Sequence, residues 1–512
     1  MKRTLTWRVL ASTLSTVCGL AGMAVAADAP VKKVLVIGID GLRPDAMMQA
    51  DAPRLQSLVE SGAYSLDAQG ESLTFSGPNW STIMSGVSID KHRVRSNNYK
   101  DSDIRNWPDF FTYLEKHNPD WITARLLTWD AFRNNQPTGA DHDLFHDYRR
   151  GGDQQMIDQA VRLLAGADPE IRQDPDALFV YQADVDVVGH DTGFGPQSKP
   201  YMQAVAVADK QVGQLLDAIA ARPNRAQEQW LILVVSDHGG SMDRRHHGNT
   251  PERRIIPFIV AGEAAAPGRI FPNPRNVDVG KTVLAWMDVP IDPAWQLDGH
   301  AVGLEPSAPP FVKYGENLIF NGDAEYDRGF AQDTGAAHDQ YASGWRDDGP
   351  AMINILTYEV DADKHPDHLS PADAEAIGGG KNFFSGGHAA VSRIAQTIDL
   401  TPLASDIDAK KVELHLSALL GGWKDQPDCA AFTARFHDSS GYVTQTVTVG
   451  PVSASDRKNR TGLLPRQVTE LVTPGARSVT VELLCIRVRG GANDGYADNL
   501  SLVLTERVED GQ

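Results

Sequence analysis

The amino-terminal half of the chain alternates short apolar runs with amphipathic stretches. Four of these runs are almost continuously apolar, as expected of parallel strands buried on both faces: Val34 to Ile39, Ile122 to Leu127, Ala177 to Gln182 and Trp230 to Ser236. Between the last two runs, apolar residues recur at helical spacing from Val205 to Ile219. Because strands alternate with helices along the chain, the pattern predicts an α/β domain over residues 30–305.

The pattern of the carboxyl-terminal half is different. A stretch containing Pro306, Pro309 and Pro310 interrupts the alternation, and residues 306–315 are predicted to form a linker. Short alternating runs then follow, separated by clusters of Gly, Asp and Asn; Val412 to Leu416 and Ser478 to Leu484 are examples. This pattern predicts an all-β sandwich over residues 316–508.

Residues 1–26 have the composition of a signal peptide. Lys2, Arg3 and Arg8 precede an apolar run that ends in the small-residue pattern Ala24-Val25-Ala26. The run is short for a membrane span and is diluted by serine, threonine and glycine. We therefore expect cleavage after Ala26 and export to the periplasm or the medium, with no membrane span in the mature chain.

Acidic residues outnumber basic ones, 67 to 48, which gives a net charge of −19. Loss of the three basic residues of the signal segment would take this charge to −22. Such a surface repels duplex nucleic acid and anionic lipid. An anionic substrate would therefore need a local positive centre, which bound metal ions supply.

Two cysteines remain after the predicted cleavage, Cys429 and Cys485. In an oxidising compartment an even number of cysteines predicts one disulfide. Two buried free thiols are the alternative, because cysteine is among the most frequently buried residue types.

Carboxylate and imidazole side chains follow three of the four predicted strands. In chain order they are Asp40, then Asp186 and His190, then Asp237 and His238, with His246 and His247 shortly after. Each motif alone has a simpler explanation; Asp40, for example, could cap a helix. Together they lie at the carboxyl ends of strands, where α/β proteins build their sites. Burying such groups is costly unless they are paired or bind a metal, and this mixture suits zinc.

Ser76 lies at the predicted amino end of a helix, because Pro78 suits the first helical turn. Free backbone N–H groups and the helix dipole favour phosphate at such a position. A metal ion nearby would lower the pKa of the hydroxyl and make it a nucleophile. The alternative is that Ser76 only caps the helix. Ser76 follows a strand end that carries the candidate metal ligand Asp40, and this position favours the role of nucleophile.

In order and type, these motifs resemble the ligand set of the alkaline phosphatase superfamily, and the chain looks most like its type I phosphodiesterase/nucleotide pyrophosphatase branch. The resemblance implies two divalent ions of zinc type, one held by Asp186, His190 and His246 and the other by Asp40, Asp237 and His238. It also implies that Ser76 bridges toward the metals and forms a covalent phospho-enzyme, and that Asn79 helps to hold a substrate oxygen. The spacing to Asn249 and Pro251 favours His246 over His247 as the last ligand.

The sequence departs from the superfamily pattern at two positions. The branch usually carries threonine as its nucleophile, where this chain has Ser76. Sulfatases of the superfamily share an arginine that corresponds to Trp80 here, which removes most support for a sulfatase. Asn97 and Asn98 could contact substrate, although turn geometry explains them as well.

The carboxyl-terminal half opens with Asn317 to Glu325 and closes with Asn493 to Leu500. Both segments resemble the jelly-roll, galactose-binding-like modules that accompany secreted hydrolases. The resemblance implies a structural calcium ion held by Glu325 and Asp498, with turn geometry as the alternative. Trp423 and Tyr496 are candidates for stacking on a carbohydrate, with a role in the core as the alternative.

The sequence therefore predicts an exported, metal-dependent phosphodiesterase or pyrophosphatase that acts on a phosphoester small molecule. A phosphomonoesterase is the nearest alternative. A transferase that moves phosphoryl-linked groups to surface glycans or lipids would share the same intermediate. A mainly glycan-binding protein is disfavoured, because every expected ligand type is present and unpaired buried charges are costly.

Overall fold

The computed structural model describes residues 30–248, 250–307, 312–332, 342–347 and 353–507. The predicted signal peptide lies outside these residues, as does part of the predicted linker. Among the described residues, the helices are all too short or too polar to cross a membrane.

Among the described residues up to 305, called here the α/β region, there are eight strands and eleven α-helices. The strands are β1 (Val31–Ile39), β2 (Ala63–Gln69), β3 (Thr123–Leu127), β4 (His142–Phe145), β5 (Ala177–Gln182), β6 (Glu228–Val235), β7 (Ile255–Ala261) and β8 (Gly268–Arg269). The helices are α1 (Pro44–Gln49), α2 (Pro53–Ser61), α3 (Ser76–Ser85), α4 (Ile89–His92), α5 (Phe110–His117), α6 (Asp130–Asn135), α7 (Gly152–Leu164), α8 (Asp184–Thr192), α9 (Lys199–Ala220), α10 (Pro251–Arg254) and α11 (Asp278–Trp286).

The eight strands form one mixed sheet in the order β4-β3-β5-β1-β6-β7-β2-β8. The central strand β1 runs parallel to both β5 and β6, and Val34 is opposite Ala177 on one side and Leu231 on the other. Alternate residues of β1 face two apolar clusters, with Leu35 in one and Val36 in the other. The sheet is therefore buried between two layers of helices. This arrangement confirms the predicted α/β fold class.

The described residues from 312 on, called here the β region, contain ten strands and two α-helices. The strands are β9 (Arg346–Asp347), β10 (Asn354–Thr357), β11 (Asn382–Gly387), β12 (Val391–Asp399), β13 (Val412–Gly422), β14 (Cys429–His437), β15 (Val443–Val449), β16 (Gly462–Leu471), β17 (Ser478–Ile486) and β18 (Asn493–Glu506). The helices are α12 (Pro371–Ile377) and α13 (Ala404–Asp408).

The strands of the β region form two five-stranded antiparallel sheets, β10-β11-β18-β13-β16 and β15-β14-β17-β12-β9. A single apolar cluster takes side chains from both sheets, including Leu416 of β13 and Phe432 of β14. The all-β arrangement is compatible with the predicted sandwich. The finer prediction of a jelly roll stays a prediction.

The predicted disulfide between Cys429 and Cys485 is wrong, because both cysteines are free. They lie on the neighbouring strands β14 and β17, where Cys429 is opposite Ile486 and Ala430 is opposite Cys485. Successive side chains of a strand point to opposite faces of the sheet, so the two thiols lie on opposite faces. The alternative of two free thiols is the one observed.

Tyr496 takes the core role that was the alternative to carbohydrate stacking. It is buried, packs against Phe383 and donates a hydrogen bond from its hydroxyl to Asp494. Trp423 is half-buried at the edge of the same apolar cluster. The face of Tyr496 is therefore unavailable to a sugar.

Both residues of the predicted calcium site accept hydrogen bonds within the β region. Glu325 accepts from the backbone N–H groups of Lys381 and Asn382, at 2.6 and 2.8 Å. Asp498 accepts from the hydroxyl of Tyr358 at 2.7 Å. Calcium binding by Glu325 and Asp498 stays a prediction.

Candidate active site

Asp40, Asp237 and His238 lie together where the parallel strands β1 and β6 end. All three side chains are buried. The Nε2 atom of His238 lies 3.4 Å from Oδ1 of Asp40 and 3.2 Å from Oδ2 of Asp237. These residues each offer a ligand atom within 4.8 Å of the others, so they form the first group able to hold a metal ion.

Asp186, His190 and His246 form a second group with the same property. Helix α8 follows β5 directly, and its geometry brings Asp186 and His190, four residues apart, to one side. The Nε2 atom of His190 lies 3.5 Å from Oδ2 of Asp186 and 3.1 Å from Nε2 of His246. His247 lies outside this group and packs against the ring of Phe75 at 4.0 Å. The structure therefore places His246 with the predicted ligands.

Three carboxylate oxygens in these groups are buried without a hydrogen-bond partner among the described residues. They are Oδ1 of Asp40, Oδ1 of Asp186 and Oδ2 of Asp237. A buried charged oxygen without a partner is costly, and a divalent cation would remove that cost for all three. The donor set of carboxylates and imidazoles therefore fits metal ions of zinc type.

Burial shifts the pKa values of five residues of these groups. Burial raises the pKa of Asp40, and it raises the pKa values of Asp186 and Asp237 further because neighbouring carboxylates add repulsion. Burial lowers the pKa of His238 to about 3 and that of His246 to about 2. The imidazoles are neutral and the carboxylates repel one another, so together they form a site that favours a bound cation.

Backbone carbonyl groups orient all three imidazoles. The Nδ1 atoms of His238 and His190 lie 2.8 and 3.1 Å from carbonyl oxygens, and Nδ1 of His246 also contacts one. In the order His238, His190 and His246, the carbonyl groups belong to Gly239, Arg244 and Thr74. Since a carbonyl only accepts, Nδ1 donates, and Nε2 of a neutral ring is left with a lone pair that a metal ion could take.

Ser76 is the first residue of α3, and Phe75 occupies the N-cap position without a side-chain hydrogen bond. The Oγ atom of Ser76 lies 3.2 Å from Nε2 of His238. The hydroxyl therefore faces the first metal-type group instead of capping the helix.

The structure does not bring Asn79 to the cavity beside Ser76. Asn79 is fully buried and its amide is engaged within the protein: Oδ1 accepts from Glu71 and Asn276, and Nδ2 donates to Leu73 and Phe75. Both ends of the amide are therefore occupied. Asn97 lines the cavity instead, and its Oδ1 accepts from the backbone N–H of Gly77 at 2.8 Å.

Trp80 and Tyr181 hold the carboxylate of Asp40 by hydrogen bonds. The indole N–H of Trp80 and the hydroxyl of Tyr181 both donate to Oδ2 of Asp40, at 3.0 and 2.5 Å. From the sequence, Trp80 only disfavours a sulfatase, and Tyr181 is assigned no role. A tyrosine one residue before the end of a fully buried strand was the available signal, since a buried hydroxyl needs a partner.

Ser76 and residues of both metal-type groups line an open cavity of about 320 Å³. Besides Ser76, Asn97 and the predicted ligands Asp40, Asp186, His190 and His246, its walls include Trp129, Tyr148, Tyr181, Ala183, Val187 and Asp191. The site can therefore place a phosphoester between a serine hydroxyl, two metal-type groups and an aromatic wall.

The part of the chain that carries the site is similar to a known protein family. Residues 34–250 match the family of type I phosphodiesterases/nucleotide pyrophosphatases. This span contains Ser76, both metal-type groups and the walls of the cavity. It ends before the β region begins.

Individual relatives share this part of the chain at low identity. An uncharacterized pyrophosphatase/phosphodiesterase of Schizosaccharomyces pombe is 28% identical over 220 residues, which is 40% of this chain and 44% of that protein. Human ectonucleotide pyrophosphatase/phosphodiesterase family member 7 is 24% identical over 262 residues, which is 46% of this chain and 54% of that protein. The chain thus spans about half the length of the curated relatives that it matches.

Among solved structures, murine ectonucleotide pyrophosphatase/phosphodiesterase 5 is similar with a TM-score of 0.39 and 13% identity. The similarity covers 52% of this chain and 99% of that chain.

Proposed function

We propose that the protein is an exported, two-metal hydrolase of phosphoric esters, of the phosphodiesterase/nucleotide pyrophosphatase type, with Ser76 as its nucleophile. The observation that carries the proposal is the contact of the Ser76 hydroxyl with a buried group in which one oxygen of each carboxylate has no hydrogen-bond partner among the described residues. The family match over residues 34–250 supports the same class of reaction.

The two groups of ligands would each hold one divalent ion. Asp40, Asp237 and His238 form one set, and Asp186, His190 and His246 form the other, with Ser76 beside the first. When bound, such ions lower the pKa of a neighbouring hydroxyl and stabilise negative charge on the phosphoryl oxygens. We favour zinc, because the donors mix imidazole with carboxylate.

Ser76 would act in two chemical steps. In the first, its hydroxyl loses a proton to solvent, the Oγ–P bond forms, and the ester P–O bond breaks as the leaving alcohol takes up a proton. In the second, water attacks phosphorus, the Oγ–P bond breaks, Oγ regains a proton and the phosphate product leaves. The amino end of α3 places backbone N–H groups and a positive dipole beside the transferring group in both steps.

We assign to Asn97 the contact with a substrate oxygen that the sequence predicted for Asn79. Its Oδ1 is held by the N–H of Gly77, and Nδ2 makes no hydrogen bond to the described residues. That amide donor lies in the wall of the cavity that contains Ser76. It can therefore stabilise an oxygen that gains charge in the transition state.

The remaining predictions belong to the same proposal. They are the signal peptide at residues 1–26, the division into domains at 30–305 and 316–508 around a linker at 306–315, and the structural calcium ion at Glu325 and Asp498. A periplasmic or secreted location follows from the signal peptide.

The test compares two p-nitrophenyl esters with purified protein and added zinc. We expect turnover of bis-p-nitrophenyl phosphate, and loss of about a thousandfold or more in kcat for Ser76→Ala. Ser85→Ala is the matched control, because Ser85 lies on the same helix and its hydroxyl bonds only backbone groups, donating to the carbonyl of Ser81 and accepting from the N–H of Val87. Equal activity of the two variants would contradict the proposal.

A second measurement separates the neighbouring activities. The rate on bis-p-nitrophenyl phosphate, divided by the rate on p-nitrophenyl phosphate, distinguishes a diesterase from a monoesterase. Acid quenching during turnover should also yield a phosphorylated peptide that contains Ser76.

A further inference from the structure

The loop that carries His246 differs from the elements that carry the other predicted metal ligands. Residues 242–248 form no helix or strand, and six of the seven are exposed, with His246 as the buried one. The other ligands follow β1 and β6 or lie in α8. An exposed loop moves more than a strand end, and a metal ligand must be held to within about 0.2 Å of its bonding distance. His246 therefore needs contacts from outside its own loop.

Thr74 supplies these contacts. Its hydroxyl donates to the backbone carbonyl of His246 and lies 2.7 Å from the carbonyl oxygen of Gly248. Its own backbone carbonyl accepts from Nδ1 of His246. Apart from the contact between Nε2 and His190, these are the hydrogen bonds that His246 makes with the described residues. Thr74 thus holds both the main chain and the imidazole of this ligand.

The hydroxyl of Thr74 belongs to a fully buried side chain. It has a single proton, which it shares between two carbonyl groups, and both groups belong to the loop. Without this hydroxyl, water would have to enter or the loop would have to move before the carbonyl groups regained a donor. The hydroxyl therefore fixes the loop at the position where His246 joins Asp186 and His190.

Phe75 contacts the same loop through its ring. The centroid of the ring lies 4.0 Å from that of His247, at an interplanar angle of 30°, and 6.4 Å from that of His246, at 87°. Phe75 immediately precedes Ser76 in the chain. The segment that leads to the proposed nucleophile therefore also holds a ligand of the second metal-type group.

Arg253 also contacts the loop, but at a different place. Its guanidinium lies 2.9 Å from the carboxylate of Asp243 and donates to the backbone carbonyl of His247. Among the described residues, none of its hydrogen bonds reaches His246. Arg253 therefore secures the exposed part of the loop, and Thr74 secures the ligand.

We infer that Thr74 is a positioning residue for metal binding, which acts through His246 and sets the affinity of the second metal-type group for its ion. The inference rests on the proposed function, because it concerns one of the two proposed ions. It gives Thr74 no contact with the metal or the substrate.

Zinc titration of the purified full-length chain against a chromogenic chelator tests the inference. In His238→Ala, which loses a ligand of the first group, the second group is the complete one. Adding Thr74→Val to this variant should lower its zinc affinity by about 10- to 100-fold. Thr74→Ser keeps the hydroxyl and should leave the affinity close to that of its parent. An unchanged affinity in Thr74→Val, or an equal loss in Thr74→Ser, would overturn the inference.

Thr282→Val is the matched control, because it removes an equally buried hydroxyl outside the cavity walls. Thr282 lies in α11, where its hydroxyl donates to the carbonyl of Asp278 at 2.8 Å. Urea unfolding should show that both valine variants lose stability, and only Thr74→Val should weaken zinc binding. Equal weakening by Thr282→Val would indicate a general loss of stability and would contradict the assignment.

Phe75→Leu decides the question if Thr74→Val does not fold. Leucine keeps an apolar side chain at this half-buried position and removes the ring that contacts His247. In the His238→Ala background, we expect Phe75→Leu to lower the zinc affinity severalfold. The same affinity with and without the Phe75 ring would refute the inference.

A kinetic measurement separates this inference from the reaction proposed at Ser76. In the otherwise intact chain, Thr74→Val should lower the rate on bis-p-nitrophenyl phosphate at limiting zinc. Excess zinc should restore kcat, because the residue acts through metal occupancy. A rate that excess zinc does not restore would count against the inference. If the wild type binds zinc but hydrolyses neither ester, the proposed reaction fails, and the zinc affinities still decide the role of Thr74.

Discussion

In two carboxylates of the metal-type groups, Asp40 and Asp237, the two oxygens differ in their hydrogen bonding. In Asp40, one oxygen accepts hydrogen bonds from Trp80 and Tyr181, and the other has no partner among the described residues. In Asp237, one oxygen accepts from the N–H of Gly41, and the other is likewise free. In both residues, hydrogen bonds to one oxygen fix the orientation of the carboxylate and leave the second oxygen for a cation.

Trp80→Phe should weaken metal binding without removing a ligand. The change deletes the N–H that donates to Asp40 at 3.0 Å and keeps most of the buried ring. Loss of such a supporting contact typically lowers metal affinity or activity by about 10- to 100-fold. Chelator competition at fixed zinc measures it, and Tyr181→Phe should behave alike. Unchanged affinity in both variants would contradict the supporting role.

Asn79 and Asn97 should respond to alanine in opposite ways. Asn97→Ala removes an amide from the cavity wall and should lower kcat/KM by about a hundredfold with little loss of stability. Asn79→Ala leaves buried partners unsatisfied and should lower the free energy of unfolding by about 1–3 kcal/mol. Urea unfolding and steady-state kinetics on both variants distinguish the two roles. The reverse pattern would restore Asn79 as the substrate contact.

The sequence could not choose between these asparagines, because both lie in polar segments near Ser76. A Cβ atom at Gly77 would lie 3.1 Å from both Cα of Asn97 and the carbonyl oxygen of Ser96. The glycine therefore lets the loop that carries Asn97 approach the start of α3. Such a contact depends on tertiary folding and leaves no local pattern in the sequence.

At the scale of elements, the four neighbouring strands β3, β5, β1 and β6 were predictable, and β2, β4, β7 and β8 were not predicted. Continuous apolar runs gave β1, β3, β5 and β6 to within three residues at each end, because strands buried on both faces have little competing pattern. β4 is half-buried throughout and β8 has two residues, so neither carries a clear signal. The register of β14 with β17, which separates the cysteines, joins residues far apart in the chain and is equally invisible locally.

Glu71 ties α3 to α4 and should make the stability of this junction depend on pH. Its carboxylate accepts from Thr82 of α3 and from the N–H of Ile89 in α4. Burial raises the pKa of Glu71 from 4.5 to about 7. A raised carboxyl pKa contributes stability that is fully present below pH 4.5 and is lost as the pH rises through about 7.

The stability of the wild type relative to Glu71→Gln should therefore fall by about 2 kcal/mol between about pH 5 and pH 8. The amide keeps an accepting oxygen but does not ionise. Urea unfolding at both pH values measures the difference. Glu60→Gln, on the exposed face of α2, is the control and should show no such trend. Parallel curves for wild type and Glu71→Gln would contradict the prediction.

At the scale of the whole molecule, the net charge of −19 should affect how substrates arrive. A dianionic ester is repelled at long range, and salt screens that repulsion. Raising ionic strength from about 10 mM to about 150 mM should increase kcat/KM for p-nitrophenyl phosphate by a few fold. Bis-p-nitrophenyl phosphate carries a single negative charge, so its kcat/KM should change less, and it is the internal control. A fall in kcat/KM for p-nitrophenyl phosphate would indicate local attraction instead.

The metal-type ligands are contributed by the ends of three parallel strands and by the loop that carries His246, so a complete set spans Asp40 to His246. A growing or partly folded chain therefore has no high-affinity site until the central sheet has closed. Metal should consequently act on the native state alone, by mass action, with about 2.7 kcal/mol per site at a free-ion concentration one hundred times Kd. Zinc would then slow unfolding and leave the folding rate unchanged, so that the lifetime of the active enzyme depends on the metal supply of its compartment.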